Sequence, residues 1–151
     1  VLDIEGGARA RARHHLVRDV MATRPKTLAA SASIDDARSV LADDHVHMVL
    51  LTRGATLLGT LVRADLPPGV PGDGPALPWS TLSGRTAAPD APAAPVRELL
   101  VRTGLRRLAV VDEDGTLLGL LCLKSSGAGF CSDADITSRA MAATTDHGAP
   151  R

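Results

Sequence analysis

Two short apolar runs separated by an acidic turn organise this chain. Leu108, Ala109, Val110 and Val111 form the first run, and Leu117 to Leu121 form the second, with Gly119 inside it. Between them, Asp112-Glu113-Asp114-Gly115 has turn chemistry: the acids tolerate the bend and the glycine accepts a positive φ. Two buried strands joined by a tight turn predict a β-hairpin. The same pattern lies 60 residues earlier, where Val49-Leu50-Leu51 matches Ala109-Val110-Val111 and Thr56-Leu57-Leu58-Gly59 matches Thr116-Leu117-Leu118-Gly119. Upstream the spacing is 59: Thr27-Leu28-Ala29 matches Thr86-Ala87-Ala88, and Ala37, Val40 and Leu41 match Val96, Leu99 and Leu100. The one-residue difference is expected in the turn between helix and strand, where a length change is cheap. The chain therefore reads as two copies of a strand–helix–strand–strand unit.

Flanking signals place the remaining elements. Leu16, Val17, Val20 and Met21 predict a short amphipathic helix that Pro25 ends. Ser33-x-x-Asp36 is a capping-box pattern opening a helix with Ile34, Ala37 and Leu41 on one face. In the second copy Val96, Leu99 and Leu100 are expected to form the buried face, and Gly104 sits where a helix-ending glycine belongs. Asp65-Leu66 begins another helical turn that Pro67-Pro68 halts. The stretch from Pro67 to Pro78 is rich in Pro and Gly and is expected to be a linker that tolerates change, with Trp79 and Leu82 docked on the second copy. A flexible loop is expected from Ser125 to Gly129, and Ser132-Asp133-Ala134-Asp135 is expected to cap a last helix carrying Ile136, Ala140 and Met141. The expected divisions are a first repeat at 16–66, a linker at 67–79, a second repeat at 80–143, and flexible tails at 1–15 and 144–151.

Composition narrows the function classes. At 151 residues the chain is one compact domain or two small repeats sharing a core, since one such repeat alone buries too little surface. Net charge is zero and there is no basic block, which argues against nucleic acid and anionic membrane surfaces. One Phe, one Trp and no Tyr leave no aromatic platform for stacking bases. No apolar run approaches the roughly 20 residues needed to span a bilayer. No signal peptide is visible at Val1, and two cysteines make no disulfide framework, so a soluble cytoplasmic protein is expected. The Ala, Arg, Gly and Pro bias looks like that of a GC-rich genome, and a bacterial source is expected. No Ser/His/Asp arrangement, Walker loop or nucleophile elbow is present, so no enzyme activity is expected.

The order V-R-D-V-M, strand, D-D-A-R-x-V-L helix, and hairpin ending L-L-G-x-L resembles the CBS (cystathionine β-synthase) domain, over about Val17 to Met141. Two in tandem resemble a Bateman module. The resemblance implies an α/β fold of two pseudo-symmetric β-α-β-β-α repeats packed as one disc, with adenosine compounds (AMP, ADP, ATP, S-adenosylmethionine) bound in clefts between the repeats. It implies a regulatory sensor, with no cofactor other than that ligand and an unidentified regulated partner. The family's ligand motif is G-h-h-[ST]-x-x-D, whose Asp bonds both ribose hydroxyls while its Ser/Thr sits near phosphate; an ionised carboxylate can accept two hydrogen bonds from a cis-diol. The first copy offers Gly59-Thr60-Leu61-Val62-Arg63-Ala64-Asp65, with Val62 in place of the hydroxyl. In the second copy the direct continuation lacks the Asp, but Ser132-Asp133-Ala134-Asp135-Ile136 fits after a ten-residue insertion, Cys122 to Cys131.

The resemblance thus implies Asp135, Ser132, Asp65, Thr27, Thr86 and Arg63 as ligand-binding residues, with the second copy expected to keep the ligand because it alone offers both hydroxyl and carboxylate. Other roles compete. Asp65 and Asp135 also suit helix starts, where the dipole favours acids; Thr27 and Thr86 also suit plain strand positions; Arg63, Arg106, Arg107 and Lys124 also suit a solvated surface. His45 and His47 sit two apart, and paired imidazoles suit a transition metal. Cys122 and Cys131 bracket the insertion, so a redox or metal sensor is one alternative function, and a ligand-free dimerisation scaffold is another. A homodimer is expected from the apolar positions around Val40-Leu41 and Leu99-Leu100 and from the family's habit of pairing discs.

Overall fold

The computed structural model describes residues 15–127 and 129–131. In chain order these form α1 (Val17–Val20), β1 (Thr27–Ala29), α2 (Ile34–Leu41), β2 (Val49–Arg53), β3 (Thr56–Leu61), β4 (Thr86–Ala87), α3 (Ala93–Thr103), β5 (Arg107–Val111) and β6 (Leu117–Cys122). Single 3₁₀ turns lie at Arg63–Asp65 and Leu77–Trp79. Ser132, Asp135 and the helix expected to carry them lie outside the described residues.

The strands make two three-stranded sheets, β1-β2-β3 and β4-β5-β6. In each, the first pair is parallel and the second antiparallel. This is the duplicated α/β unit that the repeat predicts. The register moves the extra residue, however. Thr27 pairs with Leu50 and Thr86 with Ala109; Leu51 pairs with Gly59 and Val110 with Gly119. Leu51 is therefore equivalent to Val110, and the length difference falls in the hairpin turn. The first hairpin turns tightly between the paired Arg53 and Thr56, through Gly54 at φ 60°. The second needs a longer loop, in which the Asp112 carboxylate accepts from the Asp114 and Thr116 amides, both at 2.9 Å, and Gly115 takes φ 84°. That carboxylate does the work of a ladder bond, so the longer turn is as well satisfied as the short one.

The capping box at α2 forms as its pattern predicts. The Asp36 amide donates to Ser33 Oγ and the Ser33 amide donates to the Asp36 carboxylate, each at 3.0 Å. Gly104 ends α3 in the left-handed conformation at φ 77°, its amide donating to the Leu100 carbonyl at 3.0 Å. On α3 only part of the expected face is inward: Leu100 is buried, Val96 is half-buried, and Leu99 points outward. Leu99 and Leu100 flank Val96 on opposite sides, about 100° apart, and the core takes the Leu100 side of that stripe. Val101 also faces solvent.

Each repeat is closed by the segment that precedes the other. Residues before β1 pack on the second repeat: the Val17 amide donates to Ala91 O at 2.8 Å, the Ala93 amide to His15 O at 2.8 Å, and Ala22 exchanges bonds with Leu120 at 2.8 and 2.9 Å. Residues before β4 do the same for the first repeat. The Ala76 amide donates to Ala32 O at 3.0 Å, the Ile34 amide to Gly74 O at 2.9 Å, and Thr60 exchanges bonds with Thr81 at 3.0 Å. The two central glycines are explained by this exchange. A Cβ on Gly59 would collide with the Ser80 side chain, and one on Gly119 would collide with Met21 and Ala22. The stretch expected to be a passive linker is thus a packed element. Ala76 is fully buried, and Val70 and Leu77 pack on the first core. Trp79 and Leu82, expected to dock on the second copy, are 41% and 40% exposed.

Two cores and a seam hold the fold together. Ile34, Ala37, Leu41, Val49, Leu51 and Leu61 fill the first repeat, while Val17, Leu100, Leu108, Val110, Leu121 and Leu123 fill the second. The opposite faces of the two sheets meet through Met48, Leu50, Leu57 and Ala109, bordered by Val62, Val111, Leu117 and Leu120. The hairpin tips also join by hydrogen bonds, Leu57 amide to Gly115 O at 3.0 Å and Leu117 amide to Ala55 O at 2.8 Å. Full burial of each large aliphatic side chain contributes about 1.5–3 kcal/mol, so neither repeat keeps its stability without the other.

Candidate ligand cleft between the repeats

At one end of the seam the apolar contacts give way to cations. Alternation along β5 sends Leu108 and Val110 into the second core, which places Arg107 with Ala109 on the face toward the first repeat. Arg107 is 5% exposed, a buried guanidinium whose Nη1 donates to the Arg106 carbonyl at 3.0 Å. His47 lies just before β2 in the first repeat, half-buried. Its pKa falls from the ordinary 6.5 to about 4, chiefly through burial and then through the charges of Arg107, Arg106, Arg63 and His45. A neutral imidazole among three guanidiniums marks a place of positive potential between the repeats. Such a place suits an anion that takes several charge-assisted hydrogen bonds.

The sign of this shift gives a stability prediction. The unfolded chain carries a protonated His47 below about pH 6.5, while the folded chain resists protonation until about pH 4. The unfolded state therefore binds more protons in that window, and stability falls as pH falls through it. Urea midpoints at pH 7 and pH 5 should show a loss at the lower pH that His47→Gln reduces. An equal loss in both proteins would place the acid sensitivity elsewhere.

The residues singled out in the sequence divide into two groups. Asp65 lies at the boundary between the repeats. The Asp65 carboxylate is already engaged: Oδ2 accepts from the Val62 amide at 2.8 Å and from Arg85 Nη1 at 3.0 Å, and Oδ1 accepts from Arg85 Nη2 at 3.1 Å. The pair is mostly buried, with side chains 14% and 19% exposed, and the Arg85 carbonyl is tied to the Ala109 amide at 2.9 Å. A ribose diol can take both carboxylate oxygens only after this bidentate pair opens. Arg63 reaches the end of α2, its Nη2 donating to the carbonyls of Leu41 at 2.5 Å and Asp43 at 2.7 Å, where a cation also suits the helix dipole. Thr27 is exposed at the start of β1, and Lys124 is exposed beyond β6. His45 is exposed, and among the described residues no three of His, Cys, Asp and Glu gather as a metal site.

A hollow of about 560 Å³ opens at the far ends of β4 and β5. Thr86 and Arg18 line it, but so do Asp90, Asp112, Glu113 and Asp114, and these acids repel a phosphate. The cationic end of the seam is the better anion receptor. Arg85 is the member that sequence reasoning missed. It lies 20 residues from Asp65 in the other repeat, and an ion pair across repeats leaves no local pattern.

Two sheets that share a seam, each closed by the other's leading segment, define a tandem-repeat α/β module. The sequence profile of the CBS domain matches residues 17–66 and 85–125, and the chain belongs to this family. A CBS domain protein from Pyrobaculum aerophilum, solved complexed with AMP, is 22% identical with a TM-score of 0.60, the match covering 84% of this chain and 99% of that one. CBSX2, solved in complex with AMP, is 24% identical with a TM-score of 0.60 over 84% of this chain and 97% of its own. The homoserine O-acetyltransferase of Methanococcoides burtonii is 30% identical over 115 residues, 72% of this chain. This chain spans only 22% of that relative's length. Among the described residues no helix is long and apolar enough to cross a membrane.

Proposed function

We propose that this chain is a regulatory module that binds an adenine nucleotide or a related adenosine compound between its repeats, with phosphate seated on the cations around His47. The observation that carries this is the buried guanidinium of Arg107 on the face of β5 turned toward the first repeat, with Arg106 beside it and the charges of Arg107, Arg106 and Arg63 all acting on His47. The AMP complexes of two proteins of the same fold support the ligand class. The Asp65–Arg85 pair supports a second reading for the first cleft, a closed scaffold whose ribose acceptor is held by the protein itself. The ligand then falls to the motif Ser132-x-x-Asp135. The module acts by passing a ligand-dependent change to a partner protein, as a homodimer.

Calorimetry with AMP, ADP, ATP and S-adenosylmethionine tests this. A phosphate-bearing ligand should bind the parent protein, and Arg106→Ala should weaken it about tenfold or more, the loss of a charge-assisted hydrogen bond. Asp135→Ala should weaken it on the order of tenfold to a hundredfold, and Asp65→Ala much less. Equal losses at Asp65 and Asp135 would mean two working clefts. No binding to the parent at millimolar nucleotide would leave the scaffold reading.

A further inference from the structure

Two thiols stand side by side at the end of β6, next to Arg107. The insertion after β6 folds back as a short ladder: Leu123 bridges Phe130 antiparallel, the Lys124 amide donates to Gly129 O at 2.8 Å, and the Cys131 amide donates to Cys122 O at 2.6 Å. With Leu123 opposite Phe130, Cys122 stands opposite Cys131. Opposed residues of an antiparallel ladder point to the same face, and at a hydrogen-bonded pair their Cα atoms are about 5.5 Å apart. A disulfide requires a Cα separation of about 4.4–6.8 Å, which this pairing already supplies. The two residues are 3% and 5% exposed, and they are not joined in a disulfide. On its other side Cys122 is paired with Arg107. Arg107, Cys122 and Cys131 therefore form a row across the sheet, on the face turned toward the first repeat.

We propose that Cys122 and Cys131 are a thiol–disulfide modification site, oxidised reversibly by low-molecular-weight disulfides of the glutathione class. The Cys122 thiolate attacks one sulfur of the oxidant. The oxidant's S–S bond breaks, and one small thiolate leaves and takes a proton from solvent. Cys131 then loses its proton to solvent, attacks Cys122 in the mixed disulfide, and displaces the second small thiol. One S–S bond forms in the protein, one breaks in the oxidant, and two electrons pass from the protein to the oxidant. Access comes through the insertion itself. Lys124, Ser125 and Ser126 are exposed, and opening so short a ladder is a local, low-energy event. The bond would pin the insertion against the end of β6. This chemistry does not depend on the nucleotide reading.

The full chain is equilibrated with graded ratios of oxidised to reduced glutathione, quenched in acid, alkylated and weighed intact. The expected product is lighter by two hydrogens, takes no alkyl group, and rises and falls with the ratio. Cys131→Ser should stop at the mixed disulfide, with one glutathione per chain. The parent titration needs no variant and decides alone. Two alkylatable thiols at every ratio, or only mixed and intermolecular disulfides in the folded parent, would overturn the proposal.

Discussion

Gly119→Val is expected to melt at least several degrees below the parent protein, and it has the clearest steric cause in the fold. A Cβ at this position would lie 2.5 Å from the Ala22 carbonyl oxygen and 2.7 Å from Met21 Sδ. The methionine can move, but the Ala22 backbone is held by its two bonds to Leu120, at 2.8 and 2.9 Å. Relieving the clash means lifting the segment after α1 from β6 and with it the buried Val17 and Ala22. Overpacking of this kind costs about 3 kcal/mol or more when backbone must yield, and each kcal/mol corresponds to about 2–4 °C in a chain of this size. Gly54→Ala is the control: it sits at φ 60° with open space around it, so it carries only the left-handed strain of about 1–2 kcal/mol. Scanning calorimetry of both variants checks the order. A Gly119→Val protein that melts with the parent would mean the leading segment is not seated on β6 in solution.

Deleting Gly72-Asp73-Gly74 is expected to destabilise the protein by about 3 kcal/mol or more, the opposite of what a passive linker allows. The Gly72 and Gly74 carbonyls accept from the Asp35 and Ile34 amides, each at 2.9 Å, so this segment caps the first turn of α2. Gly72 lies so close to Asp35 that a side chain there would strike its carboxylate. Arg38 adds a bond from Nη2 to the Pro67 carbonyl at 2.9 Å. Shortening the segment withdraws these acceptors and pulls the buried Ala76 out of the first core. Urea denaturation of the deletion variant measures the loss. A midpoint equal to the parent's would show that the segment contributes no net packing.

The repeat, the hairpins, the capping box at Ser33 and the stop at Gly104 were all legible because each rests on chemistry local in sequence. The Pro/Gly-rich stretch was misleading for a related reason. Its contribution comes from backbone carbonyls and one small buried residue, Ala76, and neither leaves an apolar periodicity. The position of the extra residue was hidden because Val49-Leu50-Leu51 aligns with either neighbour of the equally apolar run Leu108 to Val111, and only the pairing to β3 and β6 decides. At the candidate site, Asp65 could be named from its motif, and Arg106 and Arg107 from their charge. That Arg85 occupies Asp65, or that the charges of Arg106 and Arg107 act on His47, depends on how one repeat meets the other.

The exchange of leading segments also dictates an order of assembly. A ribosome delivers the chain from its first residue, and the first sheet is complete when β3 has emerged. Its closing strip, Gly74 to Thr81, follows soon after, so that half is able to shut early. The second half is different. Its closing strip, His15 to Ala22, is made first and has no seat until Leu120 appears. Until then Val17 and Met21 are exposed apolar groups waiting for a surface made about a hundred residues later, a long loop closure that comes late in folding. Truncated or stalled chains would leave that strip unseated and sticky, and a second chain's β6 would be a ready place for it to land.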